Sequence, residues 1–124
     1  MANKLTQTTT NKSVGTLLIN KVDRPFQISI CNQLDNNFCF KDLKVSDLKL
    51  FHKFIDETVG KNLSISEVDS LFLRTKGPVK QHRDGRDIVH YGKDRTPFRV
   101  HGYFNSDGYF NITRIDPRHK THKS

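Results

Sequence analysis

Towards the carboxyl end of the chain, residues 98–115 read FRVHGYFNSDGYFNITRI. Two alternating runs flank Asn-Ser-Asp-Gly at 105–108, which suits a type I turn closed by Gly108 in the left-handed region. A three-residue loop of this kind pairs residue 104 with 110, 102 with 112 and 100 with 114. Loops of two or four residues would exchange the faces of one strand and mix polar with apolar side chains. The pattern therefore predicts a β-hairpin in the three-residue register.

This register divides the hairpin into two faces of different chemistry. One face is apolar and is expected in the core; it consists of Phe98, Val100, Phe104, Phe110 and Ile112. The other face is polar and is expected to point outward; it consists of Arg99, His101, Tyr103, Tyr109, Asn111 and Thr113. Such side chains bind phosphate, transfer protons near neutral pH and stack on unpaired bases. An ordinary solvated β-surface with good strand formers is the alternative.

Two helices are predicted upstream of the hairpin. Ser46 can cap the first helix, and Gly60 stands where a left-handed residue would end it. Ser64-Ile-Ser-Glu67 fits a capping box that opens the second helix. The two helices are close to neutral in charge and are predicted to be scaffold.

Further strands are expected on both sides of the helices. Apolar or alternating runs at 14–20, 26–31 and 38–40 predict two or three antiparallel strands in a meander. A basic loop punctuated by glycine and proline is predicted at 75–86, followed by a short strand at 88–91.

The order of elements predicts an α+β fold. We expect an antiparallel sheet of about five to six strands with two helices packed on one face. Residues 13–117 would form this single domain. A polar segment at 1–12 is predicted to be a disordered leader, and residues 118–124 a basic tail.

The 124 residues carry a formal net charge of +8, and this charge is unevenly spread. Residues 74–124 hold twelve basic and five acidic residues, a net of +7, together with five of the six histidines. Such asymmetry is typical of a protein that binds a polyanion, so nucleic acid is the favoured partner. The sequence has no apolar run of bilayer length and no visible secretory signal. We therefore expect a cytoplasmic protein with no membrane partner.

Few residues suggest a metal or a cofactor. Cys31 and Cys39 are separated by seven residues, which fits neither a disulfide framework nor a zinc finger, and both are expected to be buried reduced thiols. His119 and His122 have the spacing of a metal half-site that nothing nearby completes. The sequence motifs of nucleotide, dinucleotide and acyl-transfer sites are missing. We expect no metal and no small-molecule cofactor.

The stretches Phe98-Arg-Val-His-Gly-Tyr-Phe104, Asp107-Gly-Tyr-Phe110 and Ile115-Asp-Pro-Arg-His-Lys-Thr-His122 resemble the end of RelE/ParE toxin superfamily proteins. The order of elements over about 45–122 is similar as well. In ribosome-dependent members, basic and aromatic side chains on the sheet position and cleave messenger RNA without a metal. The resemblance implies a toxin–antitoxin endoribonuclease that acts on RNA, including ribosome-bound mRNA, and has a cognate antitoxin protein as partner.

In such a site His101 would be the catalytic base, Arg99 the phosphate clamp and Tyr103 or Tyr109 the stacking partner. The residues expected to bind nucleic acid are Arg83, Arg86, Arg95, Tyr109, Arg114, Arg118, His119 and Lys120. A non-catalytic nucleic-acid-binding protein of phage or mobile-element type is the alternative. A third possibility is a protein-binding module that uses the near-neutral helical face.

Overall fold

The computed structural model describes Val14 and residues 23–75, 81–83, 85–93 and 95–119. The elements are β1 (Ile28–Ser29), α1 (Val45–Glu57), α2 (Ile65–Phe72), β2 (Gln81–Arg83), β3 (Arg86–Gly92), β4 (Arg99–Phe104) and β5 (Phe110–Asp116). Short 3-10 helices lie at Phe40–Asp42 and Val59–Lys61. The predicted α+β class is confirmed. The predicted leader, most of the predicted strand at 14–20 and the tail beyond His119 lie outside the described residues.

The sheet has five strands in the order β1-β5-β4-β3-β2. Strands β2 to β5 pair antiparallel with their neighbours, whereas β1 pairs parallel with β5. Within the described residues the predicted meander is wrong, because the strand at 26–31 pairs parallel with β5 and residues 40–42 form a 3-10 helix. Backbone bonds from Phe26 to Leu63 and from Ile65 to Arg24 hold the chain before β1 against the start of α2. Alternation alone cannot reveal this, because it indicates a strand but not its partner.

The predicted hairpin joins β4 to β5. Phe104 pairs with Phe110, and Gly108 has a φ of 82°, as the three-residue loop requires. A β-bulge between His101 and Gly102 then shifts the register, so that His101 pairs with Arg114. The predicted pairing of residues 100 and 114 is wrong, because the bulge adds one residue to β5.

The five predicted core residues of the hairpin are all buried. They belong to one hydrophobic cluster with side chains from both helices and from β3, including Phe54, Phe72 and Tyr91. Phe26 lies in the same cluster, with its ring centroid 5.5 Å from that of Tyr91 and 5.8 Å from that of Phe110. This aromatic cluster gives the sheet a rigid apolar side, and its other side carries the polar residues considered below.

The helix ends follow the local sequence only in part. The capping box of α2 is confirmed, since the Ser64 amide donates to Glu67 Oε1 at 2.8 Å and the Glu67 amide to Ser64 Oγ at 3.3 Å. The predicted Ser46 cap is wrong, because α1 already begins at Val45 and Lys44 occupies the cap position, where its amide donates to Asp47 Oδ2. After α1 it is Asn62, not Gly60, that adopts the left-handed conformation.

Two further expectations are corrected. Cys31 is exposed rather than buried, because β1 ends at Ser29 and the following chain leaves the core; Cys39 is half-buried.

The basic segment predicted as a loop at 75–86 contains β2, which forms a hairpin with β3 through Gly85 at a φ of 76°. This second hairpin brings basic residues of β2 beside the polar side of the sheet.

Candidate functional site

The polar side of the sheet has the composition that the sequence predicts. Alternation in β3 and β4 directs His90, Arg99, His101 and Tyr103 away from the buried Val89, Tyr91 and Val100. The cross-strand register then places His90 beside His101 and His101 beside Arg114. The bulge therefore brings Arg114 next to His101 across the β4–β5 pair.

Most of the hairpin's polar residues are buried, which corrects the expectation that they point into solvent. His101 is only 1% exposed and Tyr103 only 7%. The His101 ring lies under His90, with centroids 4.9 Å apart, and the His119 ring is 6.0 Å from that of His90. Imidazole rings thus cover the position where a substrate was expected to meet His101.

Arg99, the predicted phosphate clamp, is directed towards its own backbone. Its Nη1 atom donates to the carbonyls of Thr96 at 2.7 Å and Phe98 at 2.8 Å. Burial, followed by the neighbouring Arg74, lowers the pKa of Arg99, and Asp116 opposes this effect. The side chain therefore stabilises the turn between β3 and β4 and does not face the pocket described next.

A pocket of about 330 Å³ opens where β2, β3, β4 and β5 meet the segment before α1. It is lined by Asp35, His82, Arg83, Ile88, His101, Thr113 and Arg114. Three of these residues, Arg83, His101 and Arg114, are among the predicted site residues. Two guanidinium groups and two imidazoles thus surround a single carboxylate.

Asp35 holds the two arginines of this pocket together. Arg83 Nη2 lies 2.5 Å from Asp35 Oδ1, while Arg114 donates to Oδ2 from Nε at 2.9 Å and approaches it with Nη2 at 2.8 Å. Partial burial alone would raise the pKa of Asp35, but the hydrogen bonds and charges of Arg83 and Arg114 hold it below its ordinary value. The carboxylate is ionised at neutral pH and offsets only one of the two cationic charges.

Two further contacts hold the ends of this ion-pair network. The Arg114 guanidinium stacks over the Phe38 ring at 4.2 Å from its centroid, and the Asp35 amide donates to the Thr113 carbonyl at 2.9 Å. Backbone and aromatic contacts therefore hold the segment that contains Asp35 and Phe38 against β5. Arg83 reaches the same carboxylate from β2, the edge strand that β3 and β4 separate from β5.

His82 and Asp87 form a second polar pair in the β2–β3 hairpin. They are cross-strand partners in β2 and β3, and His82 Nδ1 lies 2.7 Å from Asp87 Oδ1. The His82 side chain is 58% exposed, so this imidazole meets solvent while the Asp87 carboxylate orients it. Asp87 also lines a smaller pocket of about 160 Å³ with Gly85, Arg86 and Phe104.

The other predicted nucleic-acid contacts are scattered. Arg86 donates to the Phe104 carbonyl at 3.1 Å, and Arg118 binds Asp47 at 2.9 Å. Arg95 is exposed in the β3–β4 connection, and Tyr109 is 37% exposed beside the hairpin turn. None of these four lines the larger pocket, and Lys120 lies outside the described residues.

Sequence reasoning did not select Asp35, His82 or Asp87 as site residues. Asp35 lies in a turn segment with no chemical motif, so nothing local points to it. His82 and Asp87 could have been paired from Asp84-Gly85, since Asp-Gly is a strong hairpin signal and such a turn makes residues 82 and 87 neighbours.

The described ranges contain no group of three or more His, Cys, Asp or Glu side chains placed to hold a metal ion. Within the same ranges, neither helix is long and apolar enough to cross a membrane. What the pocket offers an anion is hydrogen-bond donors and positive charge, with two imidazole side chains beside them.

No protein-family model, no curated protein and no solved structure shows a significant match to this chain.

Proposed function

We propose that this protein binds RNA, with a backbone phosphate bound at Arg83 and Arg114 in the pocket between β2 and β5. The observation that carries this proposal is the convergence on one carboxylate of two guanidinium groups from β2 and β5, strands that β3 and β4 separate in the sheet. One positive charge remains after Asp35 is counted. It lies in the part of the chain, residues 74–124, that carries a net charge of +7.

The geometry of the arginines suits this role. A guanidinium group has five N–H donors in a rigid fork, and Arg83 uses one nitrogen, Nη2, on Asp35. The carboxylate holds both cations in place before a ligand arrives, so less side-chain entropy is lost on binding. Arg99 is turned away from this position, so the phosphate is assigned to Arg83 and Arg114 instead.

RNA is favoured as the polyanion by the resemblance of the C-terminal part to RelE/ParE toxins. A cytoplasmic location is part of this proposal, because messenger RNA is translated there. The non-catalytic form of this proposal needs only the arginines and the net positive charge. Binding without catalysis does not require the histidines.

A second candidate function is a metal-independent mRNA endoribonuclease of a toxin–antitoxin system, with ribosome-bound mRNA as substrate and a cognate antitoxin as partner. The specific observation in its favour is that His82 and His101 line the same pocket as the two arginines. Imidazoles are the side chains best suited to acid–base catalysis near neutral pH. Induced expression should then arrest bacterial growth and cut messenger RNA, and normal growth with intact mRNA would contradict this candidate.

Binding is tested by fluorescence anisotropy of a labelled single-stranded RNA at several salt concentrations. Each phosphate contact contributes a slope of about −0.7 to log K against log salt. Arg83→Gln should weaken binding and make the slope shallower by about 0.7 to 1. Lys49→Gln on the exposed side of α1 makes the same charge change away from the pocket and serves as control.

Equal effects of Arg83→Gln and Lys49→Gln would contradict the assignment of the phosphate to the pocket. An affinity that does not change with salt would contradict phosphate binding altogether. Thermal melts of both variants check that each is folded.

A further inference from the structure

We infer that β1 is a docking edge for a second copy of this chain, with the two β1 strands paired antiparallel across a two-fold axis. The inference is independent of the proposed RNA binding. It concerns the edge of the sheet opposite to β2, and it uses none of the residues that line the pocket with the arginines.

The outer side of β1, the terminal strand of the sheet, has backbone groups to offer. The Phe110 amide donates to the Gln27 carbonyl, and Ile28 is in parallel register with Phe110. Because successive residues of a strand bond to opposite sides, Gln27 and Ser29 face β5, whereas the peptide groups of Ile28 and Ile30 point away from it. Among the described residues no further strand pairs with β1 on that outer side.

The chain just before β1 shows how much room a partner has. Pro25 forms an antiparallel bridge with Ser64, and the Phe26 amide donates to the Leu63 carbonyl on the same outer side. Leu63 therefore occupies the position opposite Phe26, and pairing with the segment before α2 stops there. What is left for a further strand is the edge at residues 28–30, three residues in each copy.

The charge distribution favours a copy of the same chain as the occupant of this edge. Residues 25–34, PFQISICNQL, contain no charged side chain, although the whole chain carries a net charge of +8. Two such chains repel each other, so they associate most readily through a surface without charge. Charged side chains on an edge strand prevent its pairing with another chain. The other edge strand, β2, has this protection from Arg83, whereas β1 does not.

The side chains of β1 complement themselves under two-fold symmetry. Ile30 is 50% exposed, and Ile28 is only partly buried where it packs against the core. With the axis at Ser29, Ile28 of one copy lies opposite Ile30 of the other, so each exposed Ile30 gains an apolar neighbour. The outward peptide groups of Ile28 and Ile30 then form hydrogen bonds across the axis. The two sheets become one continuous sheet.

Sedimentation velocity of the full chain alone, at increasing protein concentration, tests whether the protein dimerises. The measured mass should rise from that of one chain to that of two. The rise should be larger at high salt, because salt screens the repulsion between two positive chains. RNA binding weakens with salt, so the dimer and the RNA proposal predict opposite salt effects and fail separately. A one-chain mass at every concentration would overturn the inference.

A charge placed on the edge tests whether β1 is the interface. Ile30→Lys should raise the dimer dissociation constant by about tenfold or more, because it replaces an apolar contact by a charge on both copies. Leu71→Lys is the matched control, since Leu71 is 56% exposed on the last turn of α2 and the dissociation constant should not change. Thermal melts check that both variants are folded. Equal dissociation constants for the two variants would contradict docking at β1.

A disulfide tests the register of the two strands. Residues that face each other in a non-hydrogen-bonded antiparallel pair have Cα atoms about 4.5 Å apart, which a disulfide can span. Ser29→Cys, combined with Cys31→Ser, should therefore give a covalent dimer under mild oxidation that a reductant reverses. Leu71→Cys in the same Cys31→Ser background should stay a single chain. A Ser29→Cys protein that sediments as a dimer but does not cross-link would rule out pairing about Ser29.

Hydrogen exchange of the Ile28 and Ile30 amides distinguishes a second copy from other occupants of the edge. If a second copy binds, the protection of both amides should rise with protein concentration. Protection that is independent of concentration, in a protein with the mass of one chain, would assign the edge to another segment of the same chain and overturn the inference.

Discussion

At the scale of single residues, Tyr91 and Asp69 form a polar contact inside the aromatic core. The Tyr91 hydroxyl donates to Asp69 Oδ1, and the ring lies against Phe26 and Phe110. Complete burial, followed by the charge of Asp69, raises the pKa of Tyr91 well above its ordinary value. The phenol therefore remains a donor at neutral pH.

Tyr91→Phe should destabilise the fold by about 1–3 kcal/mol, because it removes a donor to a buried carboxylate and retains the ring. Tyr109→Phe makes the same chemical change at a partly exposed position, and its effect should stay within about 0.5 kcal/mol. Urea denaturation of both variants measures the difference. Equal midpoints would mean that the Tyr91 hydroxyl contributes nothing to stability.

At the scale of elements, the β4–β5 pair depends on one glycine beside the bulge. A Cβ atom at Gly102 would lie 2.3 Å from the Asn111 carbonyl oxygen and 2.8 Å from the Phe110 ring. Both neighbours are confined, one as backbone and the other as a buried side chain. The two strands can approach this closely only without a side chain at residue 102.

Gly102→Ala is expected to destabilise the protein by about 1–3 kcal/mol or more through overpacking. Gly60→Ala is the control, since a Cβ atom there would be 3.6 Å from its nearest neighbour, the Ile55 carbonyl oxygen. Thermal melts compare the two. A Gly102→Ala protein as stable as Gly60→Ala would show that β4 and β5 can move apart without a loss of folding free energy.

The same hairpin shows how far the sequence predicts the structure. The Asn105–Gly108 turn and the Ser64–Glu67 capping box depend on residues next to each other, and both are confirmed. The bulge at His101 and the parallel pairing of β1 follow from packing between distant segments, so no local pattern revealed them. In the candidate site, Arg83, His101 and Arg114 were selected by residue type, whereas Asp35 joins them only through the tertiary fold.

At the scale of the whole molecule, four ion pairs connect distant segments. Asp35 binds Arg83 and Arg114, and two further pairs join Asp47 to Arg118 and Glu57 to Lys93. Burial alone would raise the pKa of Asp35 and of Asp47, but the arginine partners of these carboxylates outweigh burial, so both pKa values are lowered. The pKa of Glu57 is lowered as well, mainly by the hydrogen bond from Lys93. The folded state therefore binds protons at these carboxylates less readily than the unfolded state.

The stabilisation from these pairs is fully present above the ordinary carboxyl pKa values, which are 3.8 for Asp and 4.5 for Glu. It is lost as the pH falls through the lower pKa values that the carboxyls have in the folded state. Asp35→Asn should lower stability at neutral pH, and its difference from the wild type should shrink in acid. Asp107→Asn on the hairpin turn is the control. Urea midpoints between about pH 7 and pH 3 measure the effect. A difference that is constant with pH would exclude the ionised Asp35 as its source.

The parallel pairing of β1 with β5 has a consequence for how the chain folds during synthesis. Ser29 and Asn111 are register partners although 82 positions separate them. A ribosome adding about 5–20 residues per second needs on the order of ten seconds to make the chain between them. Throughout that interval Phe26 lacks the ring of Phe110, and Asp35 lacks Arg114. The nascent chain therefore exposes Phe26 and β1 until the last strand emerges, and this interval is when a chaperone would protect them from aggregation.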